Sequence, residues 1–103
     1  MPLHVKRVQC LNYKAPATAA VATTNTLEVA ANDARKYLLL VNASATHPMY
    51  LGIGVAAEDG KGIYLAAAGG SFEMITSNLS NEAIYAMCPA GGGSEVMTVQ
   101  EAE

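Results

Sequence analysis

Arg35-Lys-Tyr-Leu-Leu-Leu-Val41, Met49-Tyr-Leu-Gly-Ile-Gly54, Gly62-Ile-Tyr-Leu-Ala66, Ser71-Phe-Glu-Met-Ile75 and Ala83-Ile-Tyr-Ala-Met87 are five short apolar runs, each bounded by Gly, Pro, Asn, Asp or Ser. Such runs at even spacing, separated by turn residues, are the pattern of an all-β sandwich or barrel. No apolar stripe of period 3.6 is long enough to set against them. The expected fold is all-β: a single β-sandwich, jelly-roll-like, of roughly seven to nine strands, with glycine-rich turns and an extended N-terminal arm.

Working outward, Tyr37–Val41 is apolar at every position, so both of its faces are expected to be covered. Pro48 opens the next strand, where a missing N–H costs no ladder bond. Gly52 and Gly54 interrupt that strand on one face, which suits a bend or the close approach of another backbone. Glu58-Asp-Gly-Lys-Gly62 is the strongest turn, a hairpin connection that needs positive φ. Ala68-Gly-Gly70 forms a corner, Thr76–Asn81 a polar loop, and Pro89–Ser94 a flexible tip before a final strand. In that strand Met97 and Val99 share a face, and Gln100–Glu103 is expected to trail into solvent.

On the N-terminal side, Thr26-Leu-Glu-Val29 alternates, with Leu27 and Val29 expected inside. Ala30–Ala34 follows as a loop around the turn pair Asn32-Asp33, with a short helical turn allowed by its alanines. Residues Ala15–Asn25 are small, uncharged and weakly patterned. The expected organisation is therefore an arm or edge strand over residues 1–25 and the sandwich over 26–103. Near Lys6-Arg7 the two-residue alternation slips, as a β-bulge would make it.

Composition narrows the function classes. The 103 residues make one domain. Charged residues are 15% and apolar residues 51% of the chain, against about 25% charged in an ordinary domain. A skin so poor in charge invites association through apolar patches, so a homo-oligomer is expected, a homotrimer first and a dimer second. The six bases are scattered rather than gathered in a stripe, which argues against nucleic-acid binding. No signal-peptide h-region and no run of 18 apolar residues is visible, so synthesis in a cytoplasm without a membrane partner is expected. In that compartment Cys10 and Cys88 are expected to be buried free thiols rather than a disulfide.

No reaction centre is legible. His4 and His47 have no carboxylate or thiolate at ligand spacing and are expected to face solvent. Gly52-Ile-Gly54 lacks a third glycine and a following helix, and Gly91-Gly-Gly93-Ser94 lacks the lysine of a phosphate loop. Glu58 and Asp59 beside Gly60 are turn chemistry. No catalytic, metal or cofactor site is expected, and no enzyme. The candidate contact surface is aromatic: Tyr37, Tyr50, Tyr64 and Tyr85. The last three occupy equivalent places in Met49-Tyr-Leu-Gly, Ile63-Tyr-Leu-Ala and Ile84-Tyr-Ala-Met, as aromatic neighbours on one sheet would.

Tyr37-Leu-Leu-Leu-Val-Asn42, Met49-Tyr-Leu-Gly-Ile-Gly54, Gly60-Lys-Gly-Ile-Tyr-Leu65, Gly69-Gly-Ser-Phe-Glu-Met74 and Ala83-Ile-Tyr-Ala86 follow one another in an order that resembles small virion structural proteins of tailed bacteriophages. The resemblance covers the C-terminal two thirds and consists of packing and turn motifs. It implies a β-sandwich-like capsid decoration (cement) protein with no catalytic residues. Its partners would be itself and the phage major capsid protein, and its place the capsid surface of the virion. The alternative is a tail- or fibre-associated β domain, ring-forming or binding host carbohydrate.

Overall fold

The computed structural model describes residues 10–91 and 95–103. Among these the chain has no helix and eight strands: β1 (Ala17–Val21), β2 (Thr26–Val29), β3 (Tyr37–Asn42), β4 (Met49–Ile53), β5 (Ile63–Leu65), β6 (Ser71–Met74), β7 (Ile84–Met87) and β8 (Glu95–Ala102). They form two four-stranded sheets, β1-β8-β3-β6 (sheet 1) and β2-β7-β4-β5 (sheet 2), antiparallel throughout. First pairs with last, second with seventh, third with sixth, fourth with fifth. The chain is one long hairpin wound into two layers, in keeping with the jelly-roll-like sandwich read from the sequence.

The core is the set of alternate side chains that both sheets turn inward. Leu38, Leu40 and Met97 of sheet 1 meet Met49, Leu51, Leu65 and Ile84 of sheet 2, with Val21, Met74 and Cys88 closing the ends. Each fully buried Leu, Ile or Met stabilises the fold by roughly 1.5–3 kcal/mol relative to exposure. The glycines do what their spacing requires. The Val55 carbonyl and the backbone of Ala56 occupy the space a Cβ on Gly52 would need, and Gly54 turns the chain at φ +69°. Gly60 and Gly62, at φ +75° and +76°, make the β4–β5 connection. No helix among the described residues is long and apolar enough to cross a membrane.

Two expectations are corrected, and the loop expected at residues 30–34 is present. In β2 the register slips between Leu27 and Val29, so Leu27 lies opposite Tyr85 and is 52% exposed while Val29 is buried. A one-residue bulge at Glu28 moves the two apolar residues onto opposite faces. The C-terminus does not trail away: β8 runs to Ala102, and Glu101 and Ala102 are both buried. Strand pairing with Tyr37 and Leu38 on one side and Lys14 on the other holds them in. At residues 30–34 there is a turn rather than helix, because the Asn32 side chain accepts the Ala34 N–H at 3.0 Å and so competes with helical bonding. The slip expected near Lys6-Arg7 lies outside the described residues, as do Gly92–Ser94 of the Pro89–Ser94 tip.

Candidate functional site

The residues that point out of the sandwich are the part of the molecule whose arrangement calls for a function. On sheet 1 the outward set follows from register: Leu39 beside Glu73 and Gln100, and Val41 beside Ser71 and Thr98, with Thr18 beyond Thr98. Glu73 alone is charged, and its carboxylate accepts the Tyr37 hydroxyl at 2.6 Å. That bond holds the phenolic proton and, with burial, pushes the Tyr37 pKa up to about 12. Pro16, Thr18, Leu39, Thr98 and Gln100 line an open groove of about 390 Å³ on this side. At its end Tyr13 and Tyr37 meet edge to face, 5.8 Å apart, and both lie opposite Ala102 in register. The small methyl of Ala102 lets the two rings close over it.

Sheet 2 is shaped differently. Tyr50 faces Tyr64 directly across β4 and β5, with ring centroids 5.4 Å apart. Tyr50 also faces Met87 of β7, and one row along Tyr85 lies between Gly52 and Leu27. No outward strand position here carries a charge. The backbone of residues 55–56 lies over Gly52, and Tyr64 and Val55 are 56% and 64% exposed. The four tyrosines singled out from the sequence are thus divided. Tyr50, Tyr64 and Tyr85 share the outer face of sheet 2, whereas Tyr37 lies on the opposite side of the sandwich beside Tyr13.

Charges gather at the two ends, where they fasten loops. At one end Arg35, 3% exposed, gives Nε to Glu101 Oε2 at 2.6 Å and its other nitrogens to the carbonyls of Ala30, Ser80 and Glu82 at 2.8–2.9 Å. Burial alone would raise the Glu101 pKa, but the bonds from Arg35 and from Lys14 outweigh it and hold the carboxyl below its usual range. At the other end the fully buried Asn42 side chain donates to the carbonyls of His47 and Leu65 and accepts from the Ser44 N–H. Beside it, His47 Nδ1 lies 2.8 Å from Glu95 Oε1, and Ser44 Oγ donates to that same oxygen at 2.9 Å. Both bonds keep the Glu95 pKa low, the imidazole contributing most.

His47 is therefore not the free solvent-facing residue expected, because the 43–48 loop folds it back onto the start of β8. The Ser44 hydroxyl donates to the Glu95 carboxylate and accepts the His47 backbone N–H, so the three groups brace the loop onto β8. His4 lies outside the described residues. Cys88 is buried and donates to the Pro48 carbonyl at 3.3 Å; burial and then the Glu95 charge push its pKa up, so the thiol resists ionisation. Cys10 is free as well but exposed, a correction to the expectation that both thiols are buried. The chain that follows it is held by the pairing of Asn12 with Glu103 and by the Lys14 N–H on the Glu101 carbonyl. Among the described residues no three of His, Cys, Asp and Glu stand together to hold a metal.

Sequence reasoning missed Arg35, Asn42 and the His47–Glu95 contact. Arg35 directly before an apolar strand, and Asn42 directly after its last valine, are the one available signal: a polar residue abutting a fully apolar run has to be satisfied where the strand enters and leaves the core.

No protein-family model matches this chain, and no curated protein matches it. Among solved structures it is similar to a chain from the work titled "Bacillus endospore appendages form a novel family of disulfide-linked pili". The two share 12% sequence identity with a TM-score of 0.53, over 99% of this chain and 96% of the other. At that identity the likeness is one of fold.

Proposed function

We propose that this chain is a non-enzymatic structural subunit that assembles with copies of itself, and that its site of use is a phage head, where it decorates the capsid and stabilises the shell by bridging major capsid subunits. The observation that carries the reading is the near-absence of charge from both outer faces of the sandwich while charged side chains are used at the ends to brace loops. Faces of that kind lower their free energy when covered. The phage assignment rests on the motif order from Tyr37 to Ala86. Many small contacts repeated over a lattice add up through multivalency and shift the shell towards its assembled state by mass action.

A filament subunit is the second reading, favoured by the near full-length likeness to the appendage protein. Under it the exposed Cys10 joins neighbouring copies. The experiment that separates the two adds purified protein to expanded capsids lacking it and measures occupancy and thermal disruption. Saturable binding with a raised disruption temperature supports decoration. Polymerisation without capsids, giving ladders on a non-reducing gel that Cys10→Ser abolishes, supports the filament. A protein that neither binds capsids nor associates with itself refutes the structural reading.

A further inference from the structure

Resting on the reading of the chain as a self-assembling subunit, we propose that copies join by strand addition. Residues 3–9 of one copy pair with the open edge of β1 in the next, and their Lys6 and Arg7 lie against the acid-lined cleft between its β1 and β2 edges.

The edge comes first. Sheet 1 ends in β1 and β6, and sheet 2 in β2 and β5. An edge strand offers unpaired N–H and C=O groups to any extended chain, and native folds blunt it by shortness, a bulge or a charge. Strand β5 has three residues, β2 is bulged at Glu28, and β6 carries Glu73, whose carbonyl the Asn78 side chain takes. Strand β1 has none of these devices. It is Ala17-Thr-Ala-Ala-Val21, without charge, glycine or proline, in unbroken register with β8. Its outer edge has no partner strand among the described residues.

The occupant follows from charge and pattern. The cleft beside that edge is lined by Glu28, Glu101 and Glu103 against one base, Lys14. In the single copy Lys14 and Arg35 are engaged with Glu101 at 3.3 and 2.6 Å, and Glu28 Oε1 is buried without a hydrogen-bond partner. Residues 1–9, Met-Pro-Leu-His-Val-Lys-Arg-Val-Gln, hold two bases and no acid, and Leu3-His-Val-Lys6 alternates as a strand does. Residues 3–9 span about 23 Å when extended, enough to cover β1. A second β1 edge is a poorer occupant, since it would bring the same acids against these.

The segment comes from a neighbour because the chain's own course leads away from its β1 edge. Asn12 exchanges N–H and C=O with Glu103 at 2.8 and 2.9 Å, and the Lys14 N–H meets the Glu101 carbonyl. The chain is thus held along the end of β8, with Asn12 beside its last residue. To come back along β1 it would have to reverse within Gln9-Cys-Leu11, which holds none of the residues that favour turns. Each copy offers one segment and one edge, so the contact is heterologous and closes into a ring or runs on as a filament.

The test compares wild type with a chain carrying both Lys6→Glu and Arg7→Glu, and with Glu28→Gln, in reductant so that Cys10 forms no link. Sedimentation follows association, and hydrogen exchange follows the amides of Ala17–Val21. Wild type should associate, and its β1 amides should exchange more slowly as concentration rises. The double variant should associate roughly tenfold more weakly, and Glu28→Gln should lose less in the same direction. An excess of a synthetic peptide of residues 1–9 should release monomers while keeping the β1 amides protected.

Three results overturn the proposal and leave the assembly reading standing: an assembly that the peptide leaves intact, either variant assembling like wild type, or β1 amides equally exposed in assembly and monomer. Protection of β1 in the monomer as well would put the segment on its own chain, which overturns the exchange. Assembly seen only without reductant overturns it too, since Cys10 would then carry the contact. So does a wild type that stays monomeric yet binds capsids. A wild type that neither associates under any condition nor binds capsids refutes the structural reading itself.

Discussion

Glu28 gives the sharpest test of the packing. The bulge in β2 sets its side chain at the cleft between the β1 and β2 edges, a space of about 420 Å³ lined also by Lys14, Asn32, Glu101 and Glu103. Its Oε1 is buried without a hydrogen-bond partner, and burial raises its pKa from 4.5 to about 7. The folded state thus holds this proton more tightly than the unfolded state does. The associated stability is fully present below pH 4.5 and is lost as pH rises through about 7. At 1.36 kcal/mol per pH unit the difference sets a ceiling near ~3.4 kcal/mol. The carboxyl is only partly covered, so solvent screening reduces the expected loss to about 1–1.5 kcal/mol. For a domain of this size that is ~4–10 °C in Tm.

The lowered carboxyls of Glu95 and Glu101 act in the other window, losing their contribution as pH falls below the ordinary range. The assay is thermal unfolding of wild type and Glu28→Gln from pH 5 to pH 8. The two proteins should melt together at pH 5, and the glutamine variant should melt higher at pH 8. A difference that does not change across that range refutes the reasoning, because the carboxyl would then be solvated or paired.

Arg35→Met leaves Glu101 Oε2 and three carbonyls without the donor they share and should cost about 3–5 kcal/mol in urea unfolding; Arg35→Lys should recover little of it, since an ammonium cannot reproduce the fork. Ala68 sits at φ +59°, so Ala68→Gly should relieve strain and raise stability by about 0.5–1 kcal/mol, seen as a higher melting temperature. Gly52→Ala drives a methyl into the Val55–Ala56 backbone and should cost about 1–3 kcal/mol. Thermal unfolding checks this.

What was legible in the sequence was whatever repeats with period two or requires a special backbone. The five apolar runs became β3 to β7, and the glycines of the β4–β5 region marked both the close approach and the positive-φ turns. What stayed hidden depends on partners distant in the chain. Nothing local to Glu28 announces a bulge, and the misplacing of Leu27 follows from that one residue. Nothing local to Glu101 announces that Arg35, 66 residues earlier, will neutralise it, so an acidic C-terminus reads as solvated. Tyr37 has the same pattern as Tyr50 and Tyr64, yet its strand belongs to the other sheet, and sheet membership is a property of winding that spacing does not encode.

That winding bears on synthesis. The last strand, β8, is not at an edge but between β1 and β3, and no two other strands of sheet 1 are consecutive in the chain. Of the strand pairs, β4 with β5 alone can close early, as a local hairpin; every other ladder spans a long loop and pays its closure entropy first. Until residues 95–102 leave the ribosome, β1 and β3 have nothing between them. The groove, built from Pro16, Thr18, Leu39, Thr98 and Gln100, does not exist before then. That side of the sandwich is therefore completed only when the last strand closes between β1 and β3.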